Sequence, residues 1–267
     1  MPEGATIADL QSGAVAHEHL HEHDHKHHHP PDHDHAHPHV HTHSATVVEL
    51  NARILEKNER LAARNRGWFE GREILAVNLM SAPGAGKTTL LERTIADLAG
   101  KFPLSVIEGD QASLRDGERI RACGAPVVQV NTGTGCHLDA EMIGRGLDRL
   151  KPPVGALLVI ENVGNLVCPA LFDLGERRRV AILSVTEGDD KPMKYPHMFR
   201  AADLLLVNKI DLLPHVDFDV ARAEAAAREA APHITILRVS AKTGEGLAGW
   251  YDWLAHERGA VHTAVLS

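Results

Sequence analysis

The chain has 267 residues, 43% of them hydrophobic and only 4% aromatic, so it can bury one sizeable aliphatic core and folds as one or two domains. Its formal net charge of -8 and pI near 6.2 argue against a nucleic-acid surface, which needs clustered Lys and Arg, and no basic stripe is present. Three cysteines, Cys123, Cys136 and Cys168, are odd in number and widely spaced, which argues against a disulfide framework and fits a reducing compartment.

The opening stretch "MPEGATIADLQSGAVAHEHL" has no basic start before an apolar core, so no signal peptide is expected. No apolar run reaches membrane-spanning length, and the expected location is cytoplasmic. Residues 1–45 stand apart. Fourteen of the 20 histidines fall here: His17, His19, His21, His23, His25, His27, His28, His29, His33, His35, His37, His39, His41 and His43. The segment has almost nothing to bury and is expected to be disordered without a ligand. In an extended chain, residues two apart project to one side, roughly 7 Å apart, so alternating histidines converge in pairs on one ion. Glu18, Glu22, Asp24, Asp32 and Asp34 attract cations and complete coordination spheres. A store of this kind has high capacity and poor selectivity, and it empties below the imidazole pKa of about 6.5. Inert low-complexity sequence is the alternative. A purification tag fits poorly, because the histidines are interleaved with acids and prolines.

A helix and linker are predicted over 46–72, capped by Ser44 or Thr46, with Val47, Leu50, Ile54 and Leu61 recurring at helical steps to pack on the main domain or on a partner. From 73 to 267 short apolar runs alternate with helical stretches: "EILAVNLM", "PLSVI", "APVVQV", "VGALLVI", "VAILSV", "ADLLLVN" and "ITILRV". Runs without polar alternation suit strands buried on both faces, and their alternation with helices predicts an α/β fold with a mostly parallel sheet flanked by helices. Residues 219–231 and 246–257 are read as the last two helices.

The first strand of this domain leads into "SAPGAGKTTL" and then a helix, the context that a phosphate-binding loop requires. Gly84, Ala85 and Gly86 bring backbone N–H groups to phosphate oxygens. Lys87 reaches the outer phosphates, Thr88 holds Mg2+, and Thr89 follows at the positive helix N-terminus. "NKID" then supplies Asn208, Lys209 and Asp211 after a later strand. The Asp211 carboxylate can accept from guanine N1–H and its 2-amino group, where adenine leaves it unpaired; this selects GTP. Asn208 is expected to tie this loop to the phosphate loop, and Lys209 to cover the base. "SAK", Ser240, Ala241 and Lys242, offers the Ala241 N–H to guanine O6. Asp110 and Glu161 stand at strand tips as Mg2+ contacts and catalytic candidates beside Lys87, with Asp110 also able to orient water. Asn165 follows Gly164 where Ras-like proteins keep a water-positioning Gln, and no arginine finger is evident, so slow regulatory hydrolysis is expected.

Cys136 and His137 are adjacent before a predicted helix, and Cys168 lies seven residues after Glu161. Thiolate and imidazole suit Zn2+, Ni2+ or Cu; two ordinary buried thiols are the alternative. The stretches "SAPGAGKTTLL", "EGDQAS", "NTGTGCHLD", "VIENVGNLVCP", "TEGDDKPMKYP", "NKIDLLP" and "VSAKTGEG" together resemble the hydrogenase nickel-incorporation GTPase family, HypB, from about 75 to 246. The resemblance implies a P-loop GTPase that forms a homodimer when GTP-bound, with Ni2+ or Zn2+ held at the dimer interface by Cys136, His137 and Cys168. It implies nickel delivery, with a partner nickel metallochaperone, to the precursor of a [NiFe] hydrogenase large subunit. No cysteine precedes Cys123, so the N-terminal CxxCGC site of some members is absent. A urease-type nickel-chaperone GTPase and a nickel or zinc buffer with a vestigial GTPase are the competing readings.

Overall fold

A computed structural model describes residues 6–9, 14–15, 43–110, 115–133 and 135–266. The storage histidines His17 to His41 lie outside the described residues, as do 111–113 of the "EGDQAS" stretch and Leu114 after it. Strands β1 (Thr6–Asp9) and β2 (Ala14–Val15) come first. Helix α1 (His43–Glu70) then starts earlier than either predicted cap. The main domain runs β3 (Leu75–Ser81), α2 (Lys87–Leu98), β4 (Leu104–Asp110), α3 (Arg115–Ala122), β5 (Val127–Asn131), α4 (Ala140–Leu150) and β6 (Leu157–Glu161). It continues through α5 (Cys168–Leu171), β7 (Arg178–Ser184), α6 (Lys191–Lys194), α7 (Pro196–Ala201) and β8 (Leu204–Asn208). It ends with α8 (Val220–Ala230), β9 (Thr235–Arg238) and α9 (Leu247–Leu266).

Each of the seven apolar runs forms a strand, and all seven pair in parallel in the order β5-β4-β6-β3-β7-β8-β9. Helices cover both faces, because side chains alternate across each strand. Leu75, Val77 and Leu79 face a cluster with Leu90 and Leu91 of α2, Ile120 of α3, and Trp250 and Leu254 of α9. Ala76 faces Phe69 of α1 and Met142, Ile143 and Leu147 of α4. Met80 joins Met198, Phe199, Ala223 and Ala227 of α7 and α8. Each such aliphatic side chain contributes about 1.5–3 kcal/mol on burial.

At the sheet edge, β1 pairs antiparallel with β5, ahead of the histidine tract. "TIAD" is apolar enough to use the open edge of β5, whose backbone groups otherwise lack partners. Of the two packings read for α1, the described part docks on the main domain through a face other than the apolar stripe, which leaves the partner alternative for that stripe. Ile54 is 44% exposed, Leu61 is half-buried, and the side chains of Val47 and Leu50 are outside the described set. The buried face is Asn58, Ala62, Asn65 and Phe69, at helical spacing.

Candidate nucleotide and metal sites

A parallel sheet presents its strand carboxyl ends along one edge, and binding crevices form there. β3, β4, β6 and β8 end at Ser81, Asp110, Glu161 and Asn208. Below them lies a cleft of about 490 Å3, lined by Gly84, Gly86, Lys87, Thr88, Thr89, Asp110, Glu161 and Lys209 among others. Gly86 caps α2 with φ 97°, a left-handed conformation suited to glycine. A Cβ there would stand 2.7 Å from Asn208 Nδ2.

The cradle is held from behind. Asn208 Nδ2 donates to Ala85 O at 2.9 Å, and Lys209 Nζ donates to Gly84 O at 2.7 Å. The Ala241 N–H, expected for guanine O6, here donates to Asn208 Oδ1 at 3.2 Å. Asp211 accepts from the Ser240 hydroxyl at 2.6 Å, while Lys242 is exposed. Lys87 Nζ donates to Ser81 Oγ at 2.9 Å. Burial pushes the Lys87 pKa down, opposed by the Glu161 charge.

Glu161 accepts from Thr88 Oγ1 at 2.7 Å. Its neighbour in register on β4 is Glu108, a residue that sequence reasoning passed over for Asp110. Both glutamates are buried, and each keeps one carboxylate oxygen without a hydrogen bond. Burial raises Glu108 to about 9, with the Glu161 and Asp110 charges adding to it. Burial also raises Glu161 to about 7 against the pull of Lys87. Proton-bearing carboxyls facing a phosphate cradle form an arrangement that a divalent cation would deprotonate and bind. Arg119 of α3 also lines the cleft, but its guanidinium is taken up by Glu92 at 2.7 and 3.0 Å and Asp116 at 3.0 Å. Asn165 Oδ1 accepts from the N–H groups of Val167 and Cys168, which fixes the turn into α5.

Cys136, His137 and Cys168 come together, with one potential ligand atom from each within 4.8 Å of the others. Cys136 Sγ donates to Cys168 Sγ at 2.9 Å, and His137 Nδ1 lies 3.6 Å from Cys136 Sγ. Burial and the Cys136 contact push the Cys168 thiol up to about 11. Two thiolates on ~2.3 Å bonds to a tetrahedral ion sit about 3.8 Å apart, so the sulfurs must part to admit one. The His137 ring stacks on Phe172 with centroids 3.9 Å apart. Cys123 is exposed, and its sulfur contacts Arg119 O.

The two sites meet at the tip of β6. Asn162 follows Glu161 and lines the cleft, yet its Oδ1 accepts from the Leu138 N–H at 3.1 Å, one residue past His137. The β6 tip therefore touches Thr88 with one side chain and the Cys–His loop with the next.

The strand–loop–helix cradle at the carboxyl edge of this sheet defines a P-loop nucleotide-binding protein. A family model described as "CobW/HypB/UreG, nucleotide-binding domain" matches residues 75–238. The hydrogenase maturation factor HypB of Azotobacter chroococcum mcd 1 is 59% identical over 214 residues, 80% of this chain and 70% of that protein. On these matches the chain belongs to the HypB family of hydrogenase maturation factors. A Helicobacter pylori relative, named hydrogenase/urease maturation factor HypB, is 38% identical over 79% of this chain and 88% of its own length. The crystal structure of HypB from Archaeoglobus fulgidus aligns with a TM-score of 0.71 at 43% identity, covering 78% of this chain and 100% of that one. HypB from Helicobacter pylori, crystallised in complex with nickel, aligns with a TM-score of 0.72 at 36% identity, covering 76% of this chain and 96% of that one.

Proposed function

We propose that this chain is a GTP-hydrolysing nickel metallochaperone whose nucleotide state governs how tightly it holds a nickel ion. The observation that carries the reading is the β6 tip, where Glu161 meets the phosphate loop and Asn162 meets the loop bearing Cys136 and His137. In this reading Gly84 to Thr89 cradle the phosphates, and Asp211, with Ser240 behind it, selects guanine. Thr88, Glu161 and Asp110 serve Mg2+, and Cys136, His137 and Cys168 hold Ni2+, with Zn2+ a competitor of matching ligand preference. Magnesium, when bound, neutralises charge on the transferring phosphoryl group. With Asn165 fixed in a turn and Arg119 tied to Glu92, the chain itself offers little to speed hydrolysis, which suits a switch.

The GTP form pairs with a second copy across the Cys–His–Cys cluster. Nickel passes, with a partner metallochaperone, to the hydrogenase large-subunit precursor, and the histidine segment acts as the local store. Because Cys168 follows Glu161 on one short stretch, contacts to the terminal phosphate shift the sulfur, and nucleotide and nickel affinities become reciprocal. The test is nickel titration of the protein with GDP and with a non-hydrolysable GTP analogue, alongside its oligomeric mass. A nucleotide-dependent affinity lost in Cys168→Ala is the expected result. Equal affinities in both states, in wild type and variant alike, sink the proposal. The Helicobacter pylori relative's name also covers urease, so a deletion strain assayed for both enzymes separates the two nickel targets.

A further inference from the structure

The buried face of α1 is unusual in being polar at its two contact points. Asn58 is 6% exposed and Asn65 3%. Asn58 Oδ1 accepts from the Ala140 N–H at 2.9 Å, and its Nδ2 donates to Asp173 O at 2.7 Å. Asn65 Nδ2 donates to Ala140 O at 2.8 Å and to Leu174 O at 3.1 Å. The amide orientations are fixed by these partners, since a backbone N–H must meet an oxygen and a carbonyl must meet an N–H. Both asparagines thus bridge the same two backbone segments.

Those segments carry the metal-site residues. Ala140 opens α4, three residues after His137, and Asp173 and Leu174 follow α5, which begins at Cys168. Phe172, next to Asp173, is the ring on which His137 stacks. Gly175 brings the second segment close: with φ 90°, a Cβ there would stand 2.5 Å from Ala62 O and 2.8 Å from Arg66 N of α1. Arg66 adds an ion pair to Asp173 at 2.5 Å.

We infer that α1 is a positioning clamp for the metal cluster: through Asn58 and Asn65 it sets the separation between the segment bearing Cys136 and His137 and the segment bearing Cys168, and so tunes the grip on a soft divalent cation. The sulfurs stand 2.9 Å apart and must part to admit an ion, so a clamp holding both segments controls how far they open. Asn58 and Asn65 touch no ligand atom; they act through the backbone. The inference rests on the reading that Cys136, His137 and Cys168 bind the cargo ion.

The test uses the full-length protein with GDP, titrated with Ni2+ and read by thiolate-to-nickel charge-transfer absorption, to which the histidine segment contributes nothing. Asn58→Asp keeps the acceptor for the Ala140 N–H and loses the donor to Asp173, so it loosens the Cys168 side alone, which Asn65 and Arg66 still hold in part. Gly175→Ala pushes the same segment off α1. Lys57→Ala removes an exposed α1–α4 ion pair to Glu141 and serves as the control. Asn58→Asp and Gly175→Ala are expected to weaken charge-transfer binding about tenfold or more and to move the band, as losses of residues supporting metal ligands do. GDP affinity should stay within about twofold, and Lys57→Ala should behave as wild type. A band and midpoint unchanged in Asn58→Asp, even with a lowered melting temperature, overturn the clamp. So does a parallel loss of nickel and GDP affinity. A band that survives Cys168→Ala overturns the cargo-site reading and the clamp with it, whereas loss of the band in Cys168→Ala alone overturns only the clamp.

Discussion

At Gly86 the left-handed turn and the close approach of Asn208 Nδ2 coincide, so a methyl group meets both a conformational and a steric obstacle. Gly86→Ala is expected to cost about 1–3 kcal/mol and to weaken GTP binding more than tenfold, measured by thermal melts and nucleotide titration. A variant with wild-type affinity would show that the loop has room to shift. Glu108 makes a pH-dependent claim. Its carboxyl titrates near 4.5 when unfolded and about 9 when folded, so below 4.5 both states hold the proton and its contribution is intact. As pH rises toward 9, the unfolded chain has already released that proton while the folded chain still holds it, and stability falls. Glu161 adds the same trend up to about 7. Glu108→Gln, neutral at every pH, should flatten the decline in melting temperature of the nucleotide-free protein across this window. An unchanged slope would falsify the assignment of that decline to Glu108. Its position in sequence gave little warning: within "SVIEGD" it reads as strand interior, and only the register beside Glu161 shows two acids at one floor.

The strands and the helices differ in how plainly their sequences speak. Unbroken apolar runs located all seven parallel strands, because a strand covered on both faces has no reason to alternate. The phosphate loop and the "NKID" turn were equally plain, since they depend on local backbone chemistry at fixed spacing. The docking face of helix α1 was not legible, because it is made of Asn58 and Asn65, whose value lies in backbone groups far away in sequence, while Ile54 on the apolar stripe is exposed. The pairing of β1 with β5 has no signature in its own short stretch, since an edge strand answers to its partner more than to its own composition. Helix α4 offers a test at this level. Asp139 caps it by accepting from the Met142 N–H at 2.7 Å, just after the Cys–His loop. Asp139→Ala should lower stability by about 1 kcal/mol in denaturant unfolding. A change under a few tenths would mean that packing of Ile143 and Leu147 alone holds the helix start.

Taken as one molecule, the protein separates its chemistry by direction. Both the phosphate cleft and the Cys–His–Cys cluster sit beyond the strand carboxyl ends, while the turns that begin β4, β5 and β6 gather at the far rim. Cys123 lies on that rim beside Pro103 and Pro126, and it is the exposed one of the three thiols. Sheet polarity thus supplies a ready attachment point. A maleimide fluorophore should couple to Cys123 first, and the labelled molecule should still bind nucleotide normally; fast capture at Cys168 instead would contradict that ordering. Rotational tumbling reported from this remote handle would then test the proposed pairing of two copies, with the dye on the opposite rim from both candidate sites.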